Sequence, residues 1–162
     1  HCQCRRQRQM CIRDRMGVER VIMGTSAIES PEVLKDFSNS YPNQVVLGID
    51  ALEGKVKTEG WLKESDLTPK DLIEVFEGLP IAAIIFTDIS KDGMMSGPNF
   101  EATSSLAKVT EIPVIASGGV STLSHIKKLS EDKLIYGAIC GRALYEKVFT
   151  YAEAVKTAES GS

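Results

Sequence analysis

Long apolar runs are missing from this chain: no stretch among its 162 residues approaches the roughly 20 residues of a membrane span. The basic leader lacks the apolar h-region of about 7 to 15 residues that a secretory signal needs. Paired metal-ligand spacings are missing too. Cys2, Cys4 and Cys11 with His1 show neither C-x-x-C nor H-x-x-x-H, so no metal site is expected. The remaining thiol, Cys140, has no partner for a disulfide and is read as a small buried hydrophobe, which fits a reducing cytoplasm. Low-complexity linkers are absent, so a single domain is expected.

Charge is unevenly placed. The net charge is -3, yet five arginines in residues 1–15 against Asp14 leave residues 16–162 at about -7. An acidic body argues against nucleic acid. Residues 1–15 read as a disordered or non-native leader, Met10-Cys-Ile-Arg-Asp-Arg15 resembling translated adapter sequence. The fold is therefore assigned to residues 16–162.

From Met16 on, strand-like runs alternate with amphipathic segments. The predicted strands are Val21 to Met23, Val45 to Asp50, Ile81 to Phe86, Pro113 to Ala116 and Leu134 to Ile139. Helices are expected after Ser30-Pro31 (burying Val33, Leu34 and Phe37), after Thr68-Pro69, from Phe100, after Thr122, briefly after Arg142, and after the capping box Thr150-x-x-Glu153. Gly54-Lys-Val-Lys57 suggests a small hairpin that carries Trp61 toward a strand mouth. Five strands each followed by a helix imply parallel βα units, with every polar or glycine cluster after a strand's carboxyl end, where α/β proteins keep their sites. Val21-Ile-Met-Gly-Thr-Ser-Ala27 and Ala138-Ile-Cys-Gly-Arg-Ala-Leu144 echo one another, as in a duplicated unit.

The clusters suggest chemistry. Ser117, Gly118 and Gly119 after one strand and Gly141 and Arg142 after the next offer backbone N–H groups and a helix N-terminus for phosphate. Gly24 and Thr25 offer a second such site. On that reading Gly119→Asp abolishes phosphate binding. Asp50 ends a buried strand, where a carboxylate is a poor choice for packing unless paired, for instance with Lys55. Asp50, Thr87 and Asp92 fall between the two phosphate sites and suit acid–base work. Asp88 and Asp92 can equally be Asx-turn residues. Trp61 is a stacking platform or a loop cover, and His125 is read as a surface residue away from the strand mouths.

Val46-Leu-Gly-Ile-Asp-Ala51, Gly54-Lys-Val, Gly60-Trp61, Thr87-Asp-Ile-Ser-Lys-Asp-Gly93, Ser96-Gly-Pro98, Ile115-Ala-Ser-Gly-Gly-Val120 and Gly141-Arg-Ala-Leu-Tyr-Glu146 together resemble the ProFAR isomerase family of histidine biosynthesis. The resemblance covers Met16 to Ala158 in order and spacing. It implies a (βα)8 TIM barrel of which this chain holds about five parallel βα units, strands 4 to 8. It also implies a cofactor-free Amadori rearrangement of an aminoaldose to an aminoketose on a doubly phosphorylated substrate. By resemblance Asp50 is the proton donor with Asp92 as rival, Thr87 helps hold substrate, Ser117, Gly118, Gly119, Gly141 and Arg142 bind one phosphate, and Gly24 and Thr25 part of the other.

The family's general base is an aspartate at the end of its first strand. That strand is not among the five here, so the chain alone is expected to be inactive. The full-length protein is expected to be a monomer, and this chain to self-associate through two open sheet edges. Three alternatives are the sister cyclase of the pathway, an isomerase that also serves tryptophan synthesis, and a non-catalytic phosphate-binding module. Against the cyclase stand the short segment after the Asp50 strand and the Gly-Arg-Ala-Leu ending.

Overall fold

A computed structural model describes residues 17–58, 63, 64 and 66–161, with side chains left aside at 63 and 64. The basic leader and Trp61 therefore lie outside the described residues. Strand β1 (Val21–Met23) leads into α1 (Thr25–Glu29) and α2 (Pro31–Ser40). Then come β2 (Val45–Leu52), β3 (Lys55–Thr58), β4 (Lys63–Glu64) and α3 (Pro69–Phe76). The chain continues through β5 (Ala83–Asp88), α4 (Phe100–Ala107), β6 (Val114–Ser117), α5 (Leu123–Ser130), β7 (Ile135–Ala138), α6 (Arg142–Tyr145) and α7 (Tyr151–Ser160).

Among the described residues one sheet holds seven strands, in the order β4-β3-β2-β5-β6-β7, with β1 also paired to β2. β1, β2, β5, β6 and β7 run parallel, and β3 and β4 are antiparallel additions. The five expected βα units are thus present, as part of a TIM-barrel-type α/β fold. Helices cover one face. Leu47, Ile49, Ala51, Ile84, Phe86 and Val114 pack there against Leu34, Leu72, Ile73, Phe76 and Leu106, each 6 % exposed or less. Burying side chains of this size contributes about 1.5–3 kcal/mol apiece, so this face carries the fold. No helix among the described residues is long and apolar enough to cross a membrane.

Helix starts follow the sequence. Thr68 and Thr150 each accept the N–H three residues on, and Asp71 and Glu153 answer by accepting the cap residue's N–H. Those bonds hold both carboxyls below their ordinary range. In α2 Leu34 is buried as expected, while Val33 and Phe37 are only half-buried.

Strand β2 runs on past Asp50 to Leu52, because residues 50–52 pair with β3, so Asp50 lies within the strand and does not end it. β6 and β7 each differ from expectation by one residue at both ends. Another shift moves a site residue. Ile81 donates its N–H back to Leu79 in a turn, so pairing with β2 begins at Ala82 and Ala83. The strand then runs on through Thr87 and Asp88, taking Thr87 out of the loop and into the sheet. The helix start after Gly24 that the echo with Gly141 implied is α1, a separate short helix ahead of the one capped at Ser30.

Candidate active site at the strand ends

The register places four side chains in one row. Asp50 pairs with Thr87 across β2 and β5, Thr87 with Ser117 across β5 and β6, and Lys57 with Asp50 across β2 and β3. Register partners share a face. Here it is the face turned from the helices, because the alternate residues Ile49, Ala51, Phe86 and Ala116 belong to the helix-covered side. Gly48, Ile85 and Ile115 form the next layer down, and Ile22 leans over Gly48, its Cγ2 3.3 Å from where a Cβ would stand. A polar row thus lies above an apolar floor.

Lys57 was not singled out from the sequence, which offered Lys55 as a partner for Asp50. Lys55 instead stands opposite Leu52. The signal was the turn length. Glu53 and Gly54 both have positive φ, 52° and 80°, the requirement of a two-residue type I′ turn. Counting outward from such a turn pairs Leu52 with Lys55, Ala51 with Val56 and Asp50 with Lys57.

Thr87 is 8 % exposed, whereas Ser117 is half-buried. Asp88, one residue further, belongs to the opposite face and makes the Asx turn expected of it. Its Oδ1 accepts from the Ser90 N–H at 2.9 Å and hydroxyl at 2.6 Å, and its Oδ2 from the Asn99 amide at 2.6 Å. Burial alone would raise this carboxyl, but those hydrogen bonds hold it below its ordinary value. Asn99 also caps α4 by accepting the Ala102 N–H. Asn99→Ala is therefore expected to destabilise the chain by about 1–2 kcal/mol, losing a cap and a half-buried carboxylate's donor together. Urea unfolding at an unchanged slope measures it.

The glycine turn after β6 is built against the β5–α4 loop. Gly118 and Gly119 have φ of +90° and +82°, and a Cβ on them would stand 2.9 Å from Asp88 O and 2.5 Å from Gly97 O. The Gly97 N–H donates to Gly119 O at 3.0 Å. These glycines therefore fix loop packing as well as offering N–H groups. Gly119→Asp would break the turn itself and does not isolate phosphate binding. Beside them lies a cavity of about 110 Å³ lined by Asp92, Gly93, Ser117, Gly118, Gly119 and Arg142, with Gly141 also on its wall. Two roomier hollows, of about 390 and 730 Å³, are mainly apolar and flank helices away from the row.

Arg142 reaches across the cavity mouth. Its Nη1 donates to Gly93 O at 2.6 Å and its Nε to Glu146 at 2.5 Å, so it latches the β5–α4 loop to α6. Asp92 is exposed on that loop, its N–H donating to Asp88 O and Ile89 O.

The sequence echo is structural. Gly24 precedes α1 with φ -110° and ψ -106°, and Gly141 precedes α6 with φ -99° and ψ -89°. Neither helix has a side-chain cap, unlike α3, α4, α5 and α7. No cap side chain therefore competes with an anion at either helix start, although the Ala27 and Leu144 N–H groups donate to Gly24 O and Gly141 O. Three strand spacings separate Gly24 from Gly118, about 14 Å along the sheet. Asp50 and Thr87 stand on the two strands between them.

His125 departs from expectation. It is half-buried at the start of α5 and packs on Gly97, next to the strand mouths. Helix α5 follows the glycine turn directly, so its first turn lies at that end of the sheet. Cys140 is half-buried, and burial raises its thiol pKa. Among the described residues no cluster of His, Cys, Asp or Glu could hold a metal ion.

Residues 5–150 match the model of a family described as "Histidine biosynthesis protein". The chain belongs to that family. The match begins inside the basic leader. Members similar to this chain are named 1-(5-phosphoribosyl)-5-((5-phosphoribosylamino)methylideneamino) imidazole-4-carboxamide isomerase. The protein of Prochlorococcus marinus (strain MIT 9211) is 49% identical over 142 residues, 86% of this chain and 56% of its own length. That of Jannaschia sp. (strain CCS1) is 49% identical over 139 residues, 86% and 58%. That of Cereibacter sphaeroides is 48% identical over 141 residues, 87% and 59%. The chain thus spans somewhat over half the length of these curated relatives of the histidine biosynthesis family.

Proposed function

We propose that this chain supplies the acid side and both phosphate grips of an intramolecular aldose–ketose isomerase of histidine biosynthesis, working on a doubly phosphorylated aminoaldose in the cytoplasm. One observation carries the reading: Asp50 lies in a polar row between two glycine-led, side-chain-uncapped short helices. The names of the relatives, with two phosphoribosyl groups, agree with an anion at each end.

In an Amadori rearrangement an acid protonates the ribose ring oxygen to open it, and a base removes the proton on C2. Asp50 donates the first proton, and the Thr87 hydroxyl beside it holds the sugar. The N–H groups of Gly118, Gly119 and Gly141 bind one phosphate with Ser117 and Arg142 at its edge, and Gly24 and Thr25 bind the other. No cofactor enters this chemistry. Asp92 is the weaker choice of acid, because it is exposed on the β5–α4 loop and lines the cavity assigned to a phosphate, outside the polar row.

The base comes from outside the described residues, since Asp88 faces the helices and is engaged by Ser90 and Asn99. The 162-residue chain by itself is expected to bind inorganic phosphate and to show almost no turnover. A steady-state assay near the rate of a relative would overturn this. The two outer parallel strands, β1 and β7, expose Ile22 and Tyr136 at 63% and 72%. Edges of this kind pair with other chains. A second copy of the chain is the expected partner, giving a dimer in size-exclusion chromatography at micromolar concentration; a monomer at every concentration would exclude it.

A further inference from the structure

Three helices open on the same spacing, a threonine cap followed three residues later by a side chain that reaches back. In α3 and α7 that side chain is a carboxylate, which accepts the cap residue's own N–H at 2.9 and 2.7 Å. In α5 the place is taken by an imidazole. Thr122 accepts the His125 N–H as its counterparts do, and His125 Nδ1 accepts the N–H of Ser121, the residue before the cap, at 3.3 Å.

Ser121 is 3 % exposed, and its hydroxyl donates to Met95 O at 2.8 Å. The imidazole lies over Gly97, where a Cβ would meet Nε2 at 3.1 Å. Gly97 in turn donates to Gly119 O. Imidazole, Ser121 and residues 95–97 therefore form one block. Met95 and Gly119, both in that block's bonding, line the anion cavity on whose rim Asp92 sits.

A backbone N–H can only donate, so this bond exists only while Nδ1 carries no proton; once protonated, the ring can turn only to Ser121 Oγ, also 3.3 Å from Nδ1 and already donating to Met95 O, and the Ser121 N–H is left without its acceptor. The surroundings favour that state. The ring is partly buried, and the charged group acting on it is Lys128 of the same helix. The α4 side of the contact offers Phe100, edge-on at 6.1 Å and itself covered by Lys128 Nζ at 4.1 Å. The loop side offers uncharged Gly97. A cation at a helix N-terminus is also opposed by the helix dipole. Burial first, and Lys128 second, lower the imidazole pKa.

We propose that His125 is a proton-sensitive cap: neutral, it holds Ser121 and residues 95–97 against the glycine turn, and protonated, it releases that wall of the anion cavity. It is a positioning residue and touches no ligand. A carboxylate at its place, as at Asp71 and Glu153, would stay an acceptor well into acid; an imidazole stops accepting near neutrality. Because the folded pKa lies below the unfolded value of about 6.5, the stabilisation is complete above that value and is lost as pH falls through the folded one. The consequence for ligand rests on the cavity being a phosphate site; the switch itself does not.

Nitrogen-15 NMR of the 162-residue chain from pH 8 to pH 5, without phosphate, tests the switch. At pH 7.5 His125 should carry its proton on Nε2. The Ser121 and Gly97 amides should follow a single midpoint below 6.5 and exchange about tenfold faster beneath it. His125→Gln keeps an acceptor that does not titrate, and should hold both amides still throughout. His125→Leu should loosen them at every pH. Amides that titrate in His125→Gln as in the native chain, or that stay still while His125 titrates, would overturn the proposal. Inorganic phosphate is then titrated at pH 7.5 and 5.5, with His125→Gln correcting for ionisation of phosphate itself. A native chain that loses several-fold more affinity than His125→Gln supports the coupling. Switching amides with no difference in affinity would refute the coupling and leave the switch standing, and no phosphate binding at either pH would refute the phosphate reading of the cavity.

Discussion

Alanine in place of Gly119 is expected to lower unfolding stability by about 2–4 kcal/mol, combining a left-handed backbone penalty with overpacking. The effect is large because the obstacle is backbone. The added Cβ would stand 2.5 Å from Gly97 O and 2.9 Å from Gly97 C, and neither can rotate aside. Relief requires the glycine turn and the β5–α4 loop to separate, which breaks the Gly97-to-Gly119 hydrogen bond. The Arg142 and Ser121 tethers to that loop would be strained with it. A fall in urea midpoint at constant slope reports the loss, and a variant within about 0.5 kcal/mol of the native chain would show that the loops are not packed in this way.

Asp50→Asn should have the larger effect on chemistry. Joined to the N-terminal portion of one of the relatives above, so that a complete barrel can be assayed, the variant is expected to lose about 10²- to 10⁴-fold in turnover, the usual contribution of a positioned acid. Shape and volume are preserved and only the transferable proton is removed. Inorganic phosphate should bind the 162-residue variant as it binds the native chain, because Asp50 is not in the cavity lining. A loss under tenfold, with Asp92→Asn showing the large one, would transfer the acid role to Asp92.

The sequence was most legible where composition and position act together. Val45 to Asp50 shows its strand through an unbroken apolar run, and the caps Thr68, Thr122 and Thr150 show their helices, because each rests on chemistry within a few residues. Asp88 was readable as a turn residue for the same reason. What was hidden depends on distance in space. Whether Thr87 lies in a strand or a loop turns on Ile81 bonding back to Leu79, and apolarity at Ile81 conceals that. His125 is not legible as a mouth residue because its contact, in the first turn of α5 against Gly97, joins segments 28 residues apart. The close approach of Gly118 to Asp88 O joins the glycine turn to the end of β5, 30 residues away in sequence, which no local pattern contains.

The Glu53–Gly54 turn has a consequence for how the chain tolerates change in length. Most surface loops accept an added residue at little cost, since closure entropy grows slowly with loop size. Here there is no slack. A strand displaced by one residue exchanges its two faces, so an insertion between Leu52 and Lys55 that moved β3 by one place would turn Val56, fully buried now, outward and draw a lysine into the space beneath the helices. It would also take Lys57 away from Asp50 without altering either residue. The surroundings of Asp50 are set by a count of residues, and substitution studies alone would pass over that constraint.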